Sequence, residues 1–273
     1  MRQKFRQNCS KILLAFTACF ILFFGDVGCN SHKKAVISDK CNYDKVLLHG
    51  PLVNLEAKDW FLVRYDEYDI DNKRLVKEKA EIDFVFLGDS LTYRWNLDSH
   101  FADHSWRMVN RGVPGDTSWN MISRFEIDVV QLHPKSYHLW VGINDLFKFE
   151  EDIDRRWPEV VENVRKMVHV CQGNGMKPII ASVLPINKKV KVWDNVSGRS
   201  PLDNAIPKVN EELKKVAAQV GALYIDYYSA MVDESGYKLR SDLTKDGVHL
   251  NENGYRLLTD IFCEALKLKK SER

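Results

Sequence analysis

Apolar residues along the chain fall into short β-prone runs separated by longer stretches in which they recur at helical spacing. Phe84, Val85, Phe86 and Leu87 form the clearest run, bounded by polar residues and closed by Gly88. Further runs at 106–110, 136–141, 177–183 and 222–226 give five strands in all. Between them, Thr117 can cap a helix whose inward face is Met121, Ile122, Phe125, Val129 and Leu132. A second helix starts near Pro158, buries Val161, Val164, Met167, Val168 and Cys171, and has Gly173 as its C-cap. A third spans 204–220, with Pro207 in its first turn and Gly221 ending it. Asn251 caps the last helix, where Leu250 and Tyr255 can form a hydrophobic staple. Runs apolar on both faces, alternating with helices, predict a parallel sheet covered on both sides: a three-layer α/β/α domain.

Two stretches lie outside that alternation. Residues 56–79 mix Trp60, Phe61, Val63, Tyr65 and Tyr68 with charge in a helix-prone segment that should pack on the sheet, without a legible function. The connection 184–205 is longer than a usual βα loop and carries Trp193 and several lysines.

Composition narrows the class. At 273 residues, 45% hydrophobic and 29% charged, the chain has material for one sizeable core, assigned to 56–273. A net charge of +2, with no basic run interleaved with aromatics, lacks the footprint of a nucleic-acid binder. Residues 1–30 read differently. Arg2, Lys4, Arg6 and Lys11 precede an apolar run from Ile12 to Phe24, the order of a secretory signal and too short to span a membrane. Val27, Gly28 and Cys29 then resemble the lipobox of bacterial lipoproteins, although Asp26 stands where that pattern prefers leucine. Export with a lipid anchor on Cys29, at the periplasmic or outer surface, is the expectation; plain cleavage and an uncleaved anchor are its alternatives. Residues 31–55 read as a tether and lead-in. Cys41, Cys171 and Cys263 would then remain, an odd number without paired spacing, so no disulfide framework is expected. No Cys-x-x-Cys, His-Glu-x-x-His or Asp-rich loop calls for a metal.

The candidate chemistry sits at the strand ends, where ligands bind in open α/β sheets. Ser90 follows the first run in a Gly-Asp-Ser triplet, which by itself is equally a turn and helix N-cap sequence. Asp246 and His249, three residues apart, can supply the base and its orienting carboxylate that a serine nucleophile needs, with Asp242 as a competitor for the second role. Asn144, after the third strand, can donate from an amide that does not titrate. With NRGVPGD at 110–116, VGIND at 141–145 and DGVH at 246–249, the chain resembles the SGNH, or GDSL-type, serine hydrolases. That resemblance covers about 79–266. It implies a flavodoxin-like five-stranded fold, Ser90 as nucleophile, Asp246 and His249 completing a triad, and an oxyanion hole from Ser90, Gly112 and Asn144. It also implies no cofactor. The aromatic and polar make-up around Ser90 makes Trp95, Trp119 and Trp193 candidates for contact with a carbohydrate ester, acetyl first. Lipase, acyltransferase and silent glycan-binding readings are the rivals; the oligomeric state is not legible.

Overall fold

β1 (Phe84–Gly88) has a hydrogen-bonded neighbour on each side, and every residue in it is buried. This computed structural model describes residues 59–148, 150–171, 173–188 and 199–271. Expectations for 1–58, Cys29 among them, and for Trp193 lie outside the described residues. The chain enters through α1 (Asp59–Lys77), forms β1, turns through the short α2 (Ser90–Tyr93) and α3 (Leu97–His100), and continues into β2 (Met108–Gly112). There follow α4 (Ser118–Phe125), a π turn at Glu126–Val130, β3 (Ser136–Trp140), α5 (Ile143–Phe147), α6 (Ile153–Val170), β4 (Lys177–Ala181) and α7 (Pro201–Val220). The chain closes with β5 (Leu223–Ile225), α8 (Tyr228–Met231) and α9 (Glu252–Ser271).

All five strands are parallel, in the order β2-β1-β3-β4-β5. This is the flavodoxin-like order, with helices on both sides as the hydrophobic runs required. Strand alternation sends Phe84 and Phe86 toward Phe262 of α9, at ring-centroid distances of 5.5 and 5.3 Å. Tyr137 faces the other way and meets Phe125. The first connection leads from β1 to β2 on one flank and the next returns to β3 on the other flank. The chain therefore reverses direction across β1, and the crevice at the carboxyl ends of β1 and β3 is where such a sheet takes its ligand.

The structure shifts some boundaries. The second strand lies two residues later than 106–110. α7 begins at Pro201 rather than at 204, because the Asp203 carboxylate accepts from the Ser200 N–H at 2.7 Å ahead of a proline at the first helical position. Pro207 therefore sits inside the helix. α6 likewise starts at Ile153, five residues ahead of Pro158.

Candidate active site

Ser90 leaves β1 at the first position of α2. The Asp89 carboxylate accepts a hydrogen bond from the Leu91 N–H at 2.8 Å, so the triplet is indeed a helix cap, and the cap is what presents Ser90. Ser90 Oγ stands 3.0 Å from His249 Nε2. His249 Nδ1 is 2.8 Å from Asp246 Oδ2, which makes Nδ1 the donor and leaves Nε2 as the acceptor facing the serine.

The loop that holds this pair is built locally. Asp246 Oδ1 accepts from the backbone N–H groups of Val248 and His249, at 3.1 and 2.8 Å. Thr244 Oγ1 accepts from Gly247 N–H and donates to the His249 carbonyl. Gly247 has φ +88°, and a β-carbon there would stand 2.0 Å from the Asn187 carbonyl oxygen, so glycine is the residue that fits. Partial burial would raise the pKa of Asp246, but hydrogen bonds from the His249 ring and from the two backbone N–H groups outweigh it and hold the pKa below the ordinary value. The carboxylate stays charged beside the imidazole. Asp242, the competitor, pairs with Arg240 at 2.7 Å on the surface.

Asn144 lies in the first turn of α5. Its Nδ2 donates to the Asp116 carbonyl at 3.0 Å and reaches Asp89 Oδ2 at 3.2 Å. Ser90, Asn144, Asp246 and His249 all line one cavity of about 430 Å³, together with Pro114, Gly115, Phe147 and Lys148. Among the described residues, no group of three or more His, Cys, Asp or Glu is placed to hold a metal ion.

Three expected contacts need correction. Gly112 is not a lining residue; its N–H donates to Asn110 Oδ1 at 2.8 Å. A β-carbon on Gly112 would lie 2.2 Å from the Tyr93 nitrogen, so this glycine serves the packing of α2 on β2. Gly115, three residues on, is the glycine at the cavity. Trp95 is 1% exposed, packs on Phe86 and Phe101, and donates from Nε1 to Thr259 Oγ1, so it belongs to the core. Trp119 is half-buried under the Lys166 ammonium on α6, outside the cavity lining. Arg94, one of the polar and aromatic residues expected around Ser90, does line it, and so does Lys148, which only its nearness to the GIND block pointed to.

Beneath the cavity lie three buried carboxyls, Asp89, Asp116 and Asp145. Burial, with the neighbouring Asp116 and Asp145, pushes the Asp89 pKa up to about 7 against the hydrogen bond from Leu91. In the unfolded chain the same group ionises near pH 4, so between these values the folded state holds the extra proton and stability falls as pH rises. Unfolding free energies measured in urea should show Asp89→Asn gaining roughly 3 kcal/mol on its parent between about pH 5 and pH 8. Buried His138, its pKa pushed down to about 3, contributes the opposite slope, but equally in both proteins. A difference that stays flat with pH would mean that Asp89 ionises normally.

The geometry agrees with what the chain resembles among known proteins. The model of the GDSL-like Lipase/Acylhydrolase family matches residues 86–257. An acetylxylan esterase of Geobacillus stearothermophilus is 21% identical over 175 residues, or 62% of this chain and 76% of that protein. Among solved structures, a candidate acylhydrolase from Bacteroides fragilis NCTC 9343 superposes with a TM-score of 0.64 at 27% identity, over 78% of this chain and 99% of its own. A GDSL-like lipase from Bacteroides thetaiotaomicron VPI-5482 gives 0.60 at 25% identity, over 75% and 98%. Since the family match runs from the strand before Ser90 to the helix after His249, the chain belongs to the GDSL-like lipase/acylhydrolase family and is a carboxylic ester hydrolase.

Proposed function

We propose that the protein is an exported serine esterase that removes short acyl groups, acetyl above all, from carbohydrate through an acyl-serine intermediate. The observation that carries this reading is the chain of contacts from Ser90 through His249 to Asp246 at the wall of the 430 Å³ cavity. Ser90 Oγ attacks the ester carbonyl while its proton passes to His249 Nε2. Asp246 stabilises the imidazolium that forms. The tetrahedral oxyanion is met by the N–H of Ser90, the N–H of Gly115, which lines the cavity where Gly112 does not, and the Asn144 amide hydrogen that rests on Asp89 Oδ2 at 3.2 Å and must turn from it. Each such donor is worth about 3 to 4 kcal/mol to the transition state. The alcohol leaves with the proton from His249, and water activated by the same nitrogen releases the acid.

Two features support a small acyl group on a polar alcohol. The apolar lining is limited to short pieces, Pro114, Ile143, Phe147 and Val248, interleaved with Arg94, Asn144 and Lys148. A long acyl chain would need a continuous trough, because each buried methylene contributes only about 0.8 kcal/mol. The relative from Geobacillus stearothermophilus is an acetylxylan esterase. The test is kcat/KM across p-nitrophenyl esters from acetate to palmitate, followed by acetate release from acetylated xylan and sialic acid. Rates should peak at acetate or propionate. A steady climb past octanoate would make the enzyme a lipase instead.

Export and anchoring belong to the same proposal and rest on the order of charged, apolar and lipobox-like residues up to Cys29. Cys29→Ser should release the domain from the membrane fraction or block its processing. Unchanged partitioning of that variant would point to an uncleaved anchor.

A further inference from the structure

We propose that α1, which precedes the stretch matched by the family, is a working part of the site: Tyr65 and Tyr68 hold the turn after β2, and through Asp116 the Asn144 amide, in register with Ser90. This rests on the acyl-serine reading above.

Tyr65, Tyr68 and Asn72 are spaced by three and four residues and share one face of α1. Tyr65 Oη donates to Asp116 Oδ1 at 2.8 Å. Tyr68 Oη donates to the Gly112 carbonyl at 2.8 Å, and its ring lies 4.8 Å from the Arg111 guanidinium. Arg111, itself 3% exposed, donates to Asn72 Oδ1 and to Asp71 Oδ2. Both ends of the turn are thus held by one helix face.

The turn's own backbone bonds are few, and besides α1 it is held by Arg124 at Asp116 Oδ2 and by Lys148 at the Gly115 carbonyl. Among the described residues, its backbone is closed by Val113 N–H to the Gly88 carbonyl and by Asp116 N–H to the Val113 carbonyl. Asp116 is then the link to chemistry, because its carbonyl receives the Asn144 amide at 3.0 Å. A shift of the turn therefore moves the amide relative to Ser90. Among the described side chains of the helix, Leu75 is the buried apolar one, Ile70 and Val76 are exposed, and the other ties to the turn are polar. Burial pushes the phenol of Tyr68 up to about 12, and that of Tyr65 is raised as well, so both remain hydrogen-bond donors.

Tyr65 is accordingly a positioning residue, and its effect should pass through Asn144. The readout is the second-order rate of Ser90 phosphonylation by an alkyl fluorophosphonate, which needs no knowledge of the natural ester. It is paired with kcat and KM for p-nitrophenyl acetate. Tyr65→Phe should slow phosphonylation and kcat about tenfold with KM nearly unchanged, since displacements well under 1 Å carry costs of this size. In an Asn144→Ala background the same change should add less than about twofold, because the two act as one unit. Tyr68→Phe should act in the same direction and stands in if Tyr65→Phe folds poorly; Ile70→Ala should change nothing. A Tyr65→Phe enzyme as fast as its parent, or a loss just as large in the Asn144→Ala background, would overturn the proposal while leaving the acyl-serine reading intact. A parent protein whose Ser90 takes no label would overturn both.

Discussion

Ser90→Ala is expected to lower kcat on a short p-nitrophenyl ester by on the order of 10⁵- to 10⁶-fold, and His249→Ala by nearly as much. The double variant should lose little beyond either single one, because a nucleophile without its base and a base without its nucleophile are equally idle. The 3.0 Å contact between Ser90 Oγ and His249 Nε2 is what makes them one unit. Asp246→Asn should cost less, about 10⁴-fold, by putting a donor where His249 Nδ1 needs an acceptor. Asp242→Asn should be near neutral, since that carboxylate is spent on Arg240 at the surface. Stopped-flow and steady-state rates on the five variants and their parent check the set. An Asp242→Asn loss exceeding that of Asp246→Asn, or a double variant whose losses multiply, would break the triad assignment.

Arg124→Met should destabilise the fold by about 3 to 5 kcal/mol in urea unfolding, the usual consequence of removing one partner from a buried ion pair. Arg124 is 6% exposed and donates to Asp116 Oδ2 and Asp128 Oδ2, both at 2.7 Å. It also donates to the carbonyls of Gly88 and Arg111, at 3.0 and 2.9 Å. Burial opposes its charge, but the two carboxylates outweigh that and raise its pKa. Methionine fills much of the volume yet leaves two carboxylates without their cation and two strand-end carbonyls without a donor. Adding Asp128→Asn should return part of the loss. A drop of under about 1 kcal/mol would mean that water reaches these groups. Since Arg124 ties the end of β1 to the end of β2, activity should fall along with stability.

Much of this architecture is carried by local patterns. The strand at Phe84–Gly88 is legible because a continuous β-prone run closed by glycine has few other uses, and Thr117 and Asn251 announce helix starts because capping is a short-range bond. Ser90, Asn144 and His249 are likewise legible, each in a short block beside a strand end or helix start. What pattern cannot reveal is direction. Trp95 looks like an available aromatic five residues past the serine, but the turn after α2 rolls it onto Phe86 and into the core. Gly112 and Gly115 have the same local freedom; beside a local bond from Gly112 N–H to Asn110 Oδ1, it is the approach of the Tyr93 backbone, brought in by tertiary packing, that assigns one to packing and leaves the other to the cavity. Arg124 and Asp128 are four residues apart in sequence, and only the folded chain brings Asn72 of α1 and two strand-end carbonyls onto them. The tyrosines of α1 show the same limit most sharply, since their partner Asp116 is 51 residues from Tyr65 in sequence and reaches it only in the folded chain.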